Sequence, residues 1–347
     1  MMKKIYKSIV FVFAAAAVMG CAKIVSESTN QANKRFLKAW MSINHPGIEP
    51  SGLGIYILED NSGDGITVEK DGYAIVEFTE TTLDGDITSY SNMEVAKQMG
   101  QYDSTAYYGP RVWLTANETI QAGLQNALLG MKVGGSRTVV IPSWLMTYSH
   151  YSSAAKYLEK ESEYSNTIYS YKVLDFTKDI DSWQISRMKD YMDRNLGGTD
   201  TFEEDTTGFF YKSLVPKTGK EKSFPSDTTI YINYTGKLLN GLVFDTNIEK
   251  VAWDHGLHDE AKTYEPVKIS WGEKYTDLTM GTSNSSVISG FAMTLWNMKN
   301  MNEEGKYDKS IGIFYSLLGY GYSGSGSSIP SYAPLVFEIE IVANPED

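Results

Sequence analysis

The alternation of apolar and polar residues changes period three times along the chain. Apolar residues recur at helical spacing over 35–43, and from Gly54 they alternate with polar residues, as in half-buried strands. A second helical stripe begins at Asp181, and strand-like alternation resumes at Phe209. The pattern predicts an α+β protein in which a short amphipathic helix precedes a set of strands, twice.

The two sets of strands resemble each other. Residues 51–58 (SGLGIYIL) match 206–214 (TTGFFYKSL), and residues 74–83 (AIVEFTETTL) match 230–239 (IYINYTGKLL), at an offset of about 155 residues. This repeat indicates a tandem duplication. The predicted divisions are a leader over 1–20, a tether and short helix over 21–50, a first half over 51–176, a helical linker over 177–206 and a second half over 207–347. The polar tether is expected to extend to Asn33, and the acidic stretch over 199–205 is expected to be a solvated connection.

Composition narrows the functional classes. Tyrosine is abundant (24 residues), which favours strands and half-wet surfaces over a helical bundle. A formal net charge of −12 opposes a phosphate backbone, so nucleic acid is not expected as a partner. The one cysteine excludes an internal disulfide and a zinc site built from several thiolates.

The position of that cysteine is informative. A basic segment with Lys3, Lys4 and Lys7 precedes an apolar stretch over 9–18, which is too short to span a bilayer, and Cys21 follows small residues. The arrangement resembles the bacterial lipoprotein signal, which implies that Cys21 is acylated and anchors the protein to a membrane of the cell envelope, on the periplasmic or outer-membrane face. An ordinary signal peptide with an incidental cysteine is the alternative.

Five motifs occur in order in the second half. They are YTG at 234–236, FD at 244–245, VISGF at 287–291, GYG at 319–321 and the IP…LVFEIEI run from Ile329 to Ile341. In this order they resemble the FKBP-type peptidyl-prolyl cis-trans isomerases. The resemblance implies a bent antiparallel sheet wrapped around a short helix, and we expect this FKBP-like fold in both halves.

The chemistry of such an enzyme needs no nucleophile, metal or cofactor. Rotation about an Xaa-Pro bond faces a barrier of about 18–20 kcal/mol, because the planar amide is stabilised by resonance. A catalyst can hold the proline in an apolar pocket and remove water from the carbonyl, since the twisted transition state is less charge-separated. Aromatic walls and a few oriented polar groups are sufficient.

The resemblance assigns these roles to residues of the second half. It implies Tyr234, Phe244, Asp245, Ile288, Tyr320 and Phe337 as catalytic residues, and Val287, Phe291, Ile329 and Val267 as substrate-binding residues. The aromatic rings would surround the proline, Tyr234 would orient Asp245, and the Ile288 N–H and Tyr320 hydroxyl would bind flanking carbonyls. Phe291 replaces the family's usual Trp and Val267 an expected aromatic residue, so modest activity is expected.

The first half carries a weaker copy, clearest over 123–137. The same correspondence gives counterparts to pocket residues: Phe78 for Tyr234, Ile87-Thr88 for Phe244-Asp245, Gln121 for Ile288, Leu124 for Phe291, Tyr148 for Tyr320 and Tyr171 for Phe337. Because the carboxylate and two pocket walls are missing, we predict a weak or inert domain that serves as a spacer, a dimerisation surface or a client-binding module.

Three other constellations have ordinary interpretations. His255 and His258, among acidic residues, could hold a metal but lie in an inserted polar loop, which favours a solvated segment. Residues 60–65, followed by Asp71, loosely mimic a calcium loop but favour a β-turn between strands. Residues 321–328 are rich in Gly and Ser without a phosphate-loop lysine, which indicates a flexible rim loop.

The leading hypothesis is therefore a lipid-anchored peptidyl-prolyl isomerase that acts on proline-containing segments of exported proteins. A non-catalytic chaperone or protein-binding lipoprotein with the same pocket is the alternative. A surface receptor or structural lipoprotein on a reused scaffold is a third class.

Overall fold

The computed structural model describes residues 28–160, 164–303 and 305–345 of the 347-residue chain. The predicted leader over 1–20 and the lipidation residue Cys21 lie outside the described residues. Among the residues described, no helix is long and apolar enough to cross a membrane.

The described α-helices are short, apart from two of 16 residues. They are α1 Thr29–Asn44, α2 Met93–Gln98, α3 Ala122–Leu128, α4 Ala154–Glu159, α5 Ile180–Asn195, α6 Glu249–Asp254 and α7 Ser289–Asn297. The two long helices begin at side-chain caps, since Ser28 accepts a hydrogen bond from the Gln31 N–H and Asp179 accepts one from the Ser182 N–H.

The first sheet is antiparallel and has six strands in the order β1-β5-β6-β2-β3, with β4 paired to β2. Its strands are β1 Tyr56–Asn61, β2 Tyr73–Thr82, β3 Ile87–Tyr90, β4 Arg111–Leu114, β5 Ser136–Ile141 and β6 Thr167–Thr177. Helix α3 lies against this sheet, with Leu124 and Leu128 buried in the same core as Val139 and Ile141.

The second sheet has nine strands in the order β13-β12-β11-β9-β15-β14-β8-β7, with β10 paired to β9. Its strands are β7 Glu203–Thr206, β8 Phe209–Ser213, β9 Thr229–Leu238, β10 Val243–Thr246, β11 Val267–Ser270, β12 Thr279–Met280, β13 Ser285–Ser286, β14 Lys309–Phe314 and β15 Leu335–Val342. Helix α7 lies close to this sheet because Gly290 and Gly312 carry no side chain where the ring of Phe314 and the side chain of Thr294 stand.

The two sheets repeat one strand order. The path β1-β5-β6-β2 of the first corresponds to β8-β14-β15-β9 of the second. In each sheet the last of these strands also pairs with the next two strands along the chain, β3 and β4 or β10 and β11. Strands β7, β12 and β13 are additions to the second sheet.

Two segments differ from the sequence-based expectation. The polar stretch expected to be a tether as far as Asn33 is helical from Thr29, and Asn30 is buried, where its side-chain amide donates to the Tyr157 carbonyl. The acidic stretch over 199–205, expected to be a solvated connection, forms a 3-10 turn and strand β7, which pairs with β8. Polar composition gave the wrong prediction for both segments, because the backbone hydrogen bonds of a helix or strand do not depend on side-chain polarity.

Helix α5 connects the halves and packs on the second sheet. Its Met188 and Met192 are fully buried against Phe210, Ile311 and Val336. The amide side chain of Gln184, also fully buried, accepts a hydrogen bond from the Ser316 N–H at 2.8 Å. This bond fixes the start of the loop that follows β14.

Candidate functional site

The centre of the candidate site is the hairpin formed by β9 and β10. Leu239, Asn240 and Gly241 form its loop, which the Gly241 N–H closes on the Leu238 carbonyl, with Gly241 at φ +90°, a conformation that glycine adopts without strain. A register shift between Val243 and Asp245 interrupts the ladder. Across the hairpin the Tyr234 hydroxyl donates to Asp245 Oδ2 at 2.7 Å.

Aromatic rings form one contiguous cluster beside this pair. The Tyr234 ring meets Phe291 edge-on at 5.6 Å between centroids, and Phe337 lies 5.0 Å from Phe291 and 5.6 Å from Phe244. Phe291 and Phe337 are buried, whereas Phe244 is half-exposed and faces Tyr320 at 6.5 Å. The cluster is thus an apolar floor with one open side.

Gly236 of β9, which sequence reasoning missed, makes room for these rings. A Cβ atom there would lie 2.7 Å from Phe244 Cε2 and 2.8 Å from Phe337 Cε1. A side chain at this position would therefore displace two walls of the site. The glycine of the YTG motif was the sequence signal that could have identified this position.

The remaining predicted residues belong to the hydrophobic core that contains Phe291 and Phe337. Val267, at the start of β11, and Val287 and Ile288, ahead of α7, are half-buried against this core, and Ile329 is buried within it. Ile288 is the residue before the first turn of α7, and its N–H has no acceptor within the described parts of the chain. That N–H is available to a carbonyl of a bound peptide.

Asn247, also missed by the sequence reasoning, holds the hairpin in place. Its buried side chain accepts a hydrogen bond from the Tyr234 N–H at 2.7 Å and donates to the carbonyls of Ile232 and Glu265 at 3.0 and 2.9 Å. It therefore ties β9 to the end of the inserted loop. Its position two residues after Asp245 gave no sequence signal.

The inserted loop contributes a cation to the site. Lys262 Nζ lies 3.4 Å from Asp245 Oδ1 and donates to the Thr246 carbonyl at 3.1 Å. The same loop contains His258, whose ring stacks on Trp253 at 3.9 Å and lies 3.5 Å from Glu249. No group of three or more metal-binding side chains occurs among the described residues.

The electrostatics keep the phenols of the site protonated. Burial, and then the Asp245 carboxylate, raise the pKa of Tyr234 well above its usual range. The same two causes raise the pKa of Tyr320. Both hydroxyls therefore remain hydrogen-bond donors at neutral pH. The arrangement can hold an apolar ring, and it offers two phenols, one free N–H and one oriented carboxylate.

The register of the first sheet corrects part of the correspondence inferred for the N-terminal half. Glu80 pairs with Ser89, as Gly236 pairs with Asp245, so Ser89 takes the place of Asp245 and Thr88 that of Phe244, one residue later than Ile87-Thr88. Likewise Glu80 pairs with Tyr169, as Gly236 pairs with Phe337, so Tyr169 and not Tyr171 takes the place of Phe337.

The other inferred counterparts are consistent with the structure. Gln121 precedes α3 as Ile288 precedes α7, which puts Leu124 in the position of Phe291. Phe78 takes the place of Tyr234, and Tyr148 is exposed at the rim. None of these residues places a carboxylate where Asp245 lies.

Comparison with known proteins agrees with this geometry. Residues 220–342 match the family model of FKBP-type peptidyl-prolyl cis-trans isomerase. A probable FKBP-type peptidyl-prolyl cis-trans isomerase of Haemophilus influenzae is 29% identical over 141 residues, which cover 40% of this chain and 44% of that protein. The FK506-binding protein of Neisseria meningitidis serogroup B is 29% identical over 135 residues, which cover 39% of this chain and 94% of that protein.

Solved structures of the same kind align with the chain. The three FKBP domains of wheat FKBP73 align with a TM-score of 0.28 and 15% identity, covering 83% of this chain and 94% of that one. FkpA from Escherichia coli aligns with a TM-score of 0.29 and 18% identity, covering 50% of this chain and 72% of that one.

Proposed function

We propose that this chain, whose C-terminal half carries an FKBP-type isomerase domain, catalyses cis-trans isomerisation of Xaa-Pro bonds in exported proteins. The observation that carries the proposal is the 2.7 Å hydrogen bond from Tyr234 to Asp245 at the edge of an aromatic cluster. A passive scaffold has no need of an oriented carboxylate beside an apolar pocket.

In the proposed mechanism the pocket binds a twisted amide better than a planar one. The proline ring would lie between Phe244, Phe291 and Phe337, where water is excluded. Removing water from the carbonyl before the proline destabilises the planar, charge-separated amide. The groups assigned as catalytic then act by position, and no proton needs to move.

The polar groups would fix the peptide on either side of the bond. The free N–H of Ile288 would donate to one backbone carbonyl and the Tyr320 hydroxyl to another. Asp245, held by Tyr234 on one oxygen and Lys262 on the other, would face the rotating bond. Val287, Ile329 and Val267 would complete the apolar walls.

The proposal extends to the whole chain. The repeated strand order supports two tandem FKBP-like domains, of which the first lacks a carboxylate at the Asp245 position. The segment ending at Cys21 supports removal of residues 1–20 and attachment to an envelope membrane through a lipid. Clients would then be proteins that fold outside the cytoplasm.

The test is cis-trans exchange in a short Xaa-Pro peptide, followed by NMR with protein of residues 22–347. Asp245→Ala and Phe244→Ala should each lower the catalysed exchange rate by about a hundredfold or more, since each removes part of the pocket. Ser89→Ala, at the matching position of the first sheet, is the control and should leave the rate unchanged. Exchange that survives both pocket substitutions would refute the proposal.

A non-catalytic chaperone is the second candidate. It is favoured by Phe291 and Val267, which reduce the aromatic surface expected by resemblance, and by Lys262, which pairs with the carboxylate. Absence of catalysed exchange, together with suppression of a client's aggregation that Phe244→Ala abolishes, would establish it in place of the isomerase.

A further inference from the structure

The N-terminal half has a cleft of its own. Its volume is about 430 Å³, within the range of ligand sites. The aromatic part is formed by Phe78, Trp113 and Tyr169: the Trp113 ring lies 5.2 Å from Phe78 and meets Tyr169 edge-on at 6.2 Å. Trp113 is half-exposed, so its ring is available to a ligand.

This cleft lies at the position of the isomerase pocket in the other half. Phe78 and Tyr169 take the places of Tyr234 and Phe337 in the strand register, and Leu124 at the base takes that of Phe291. The cleft therefore has the same location as the isomerase pocket. However, Ser89 takes the place of Asp245, the carboxylate that would face a rotating bond. Binding without catalysis is what this set of residues can support.

Glu80 gives the cleft a charge. It stands where the other sheet has Gly236, whose missing Cβ would point into the pocket, and it is the one charged side chain lining the cleft. Glu80 is half-buried, and none of the ion pairs formed by the described residues includes it. Burial, and then the Glu80 carboxylate, raise the pKa of the neighbouring Tyr169. A cation from a ligand would complete this arrangement.

The C-terminal half closes the other side of the cleft. Tyr332 and Tyr322 line it and stack on each other at 4.9 Å, and Tyr332 also meets Tyr73 edge-on at 5.5 Å. Tyr332 has φ +60°, a strained conformation for a bulky residue. Such strain persists where surrounding contacts impose it, and it concentrates at functional sites.

We infer that this cleft binds an extended polypeptide segment through a proline ring on Trp113 and Tyr169 and an adjacent Lys or Arg beside Glu80, without isomerising it. The choice of proline rests on the proposed function, because the cleft occupies the position of the isomerase pocket. The choice of a basic neighbour rests on Glu80 alone. Proline suits such a site because its extended segments are already ordered and dock on aromatic grooves.

The test is fluorescence anisotropy with a labelled hexapeptide that has Lys-Pro at its centre. The protein is residues 22–347 carrying Phe244→Ala, which disables the C-terminal pocket. We expect binding to persist, to weaken roughly fivefold with Glu80→Gln and to weaken about tenfold with Trp113→Leu. A Glu-Pro peptide should bind less tightly than the Lys-Pro peptide.

Matched variants separate the cleft from the general acidity of the chain and from misfolding. Glu77→Gln removes the same charge from an exposed position on the same strand and should not change binding. Trp113→Phe keeps a ring and should retain most of the affinity. Near-ultraviolet circular dichroism reports whether each variant is folded.

Two outcomes would overturn the inference. Binding that is lost with Phe244→Ala alone would show that the peptide uses only the C-terminal pocket. Equal effects of Glu80→Gln and Glu77→Gln would show that the charge acts at long range. Isomerase turnover is a separate readout: a chain that binds at the cleft but catalyses no exchange would refute the proposed function and leave this inference intact.

Discussion

At the scale of single residues, the most informative contact is the one that orients Asp245. The carboxylate is held at Oδ2 by the Tyr234 hydroxyl and approached at Oδ1 by Lys262. A half-buried carboxylate with one strong donor has fewer orientations than a free one, so the Tyr234 hydroxyl positions it. Tyr234 contributes both this bond and part of the aromatic wall.

Tyr234→Phe separates these contributions, because it keeps the ring and removes the hydroxyl. We expect kcat/KM for an Xaa-Pro peptide to fall about ten- to a hundredfold, with most of the loss in kcat, since a hydrogen bond to a charged group contributes about 1.5–3 kcal/mol. Tyr231→Phe, on the other face of the same strand, is the matched control. A loss confined to KM would show that the hydroxyl acts in binding instead.

At the scale of elements, the site depends on the close approach of β9 to two rings. Gly236→Ala would place a methyl group within 2.8 Å of Phe244 and Phe337, so both walls must shift. We expect unfolding to become easier by about 1–3 kcal/mol and the exchange rate to fall at least tenfold. Lys237→Ala, which removes a part-buried ion pair with Glu338 and adds no atom near the rings, is the control.

The measurements are urea unfolding and NMR exchange on both variants. If Gly236→Ala kept the wild-type exchange rate, the rings would not form the walls of the working pocket.

Features that depend on local chemistry could be predicted from the sequence. Features that depend on which residues of neighbouring strands pair could not. Alternation located β9 and the Asn-Gly turn, because a strand's two faces and a turn's φ requirement leave direct marks. The counterparts inferred for Asp245 and Phe337 differed by one and two residues from Ser89 and Tyr169, because composition does not fix which residues of neighbouring strands pair.

Contacts between residues far apart in the chain also could not be predicted from the sequence. Asn247 is a polar residue like many others until its bonds to β9 and to Glu265 are seen. Lys262 reaches Asp245 from the far end of an insertion whose path no periodicity indicates. Both arise from how distant segments meet, which a one-dimensional pattern does not encode.

At the scale of the whole molecule, buried phenols make stability depend on alkaline pH. Burial is the leading cause that raises the pKa of Tyr169, Tyr171, Tyr211 and Tyr234 above the ordinary value of 10.0. The unfolded chain therefore loses these protons first. Their contribution is complete below about pH 10 and is lost as the pH rises towards the raised pKa values.

We expect the free energy of unfolding to fall between pH 10 and 11 by as much as about 1.4 kcal/mol per pH unit for each such phenol. Urea unfolding at pH 8, 9, 10 and 11 measures it. Tyr234→Phe should give a shallower decline, since it has one titrating group fewer. A free energy that stays constant from pH 9 to 11 would mean that these hydroxyls are open to solvent.

Also at this scale, the linker helix α5 and the N-terminal half together hold the loop that carries Tyr320 and Ile329. The Tyr322 hydroxyl donates to both oxygens of Asp181 on α5, at 3.0 and 3.2 Å, and the Tyr107 N–H donates to the Ser327 carbonyl at 2.9 Å. Together with the bond from Ser316 to Gln184, these contacts fix the loop at three points. The rim of the C-terminal pocket is thus positioned from outside its own sheet.

Tyr322→Phe and Asp181→Asn should therefore raise KM for an Xaa-Pro peptide about two- to fivefold while kcat changes less, because a looser rim binds the flanking carbonyls less well and leaves the aromatic floor intact. The double variant should show no more than the larger single effect, since both changes break one contact. Tyr275→Phe, at an exposed site outside the loop, is the control. Additive effects in the double variant would mean that the two residues act on the pocket separately and not through their shared bond.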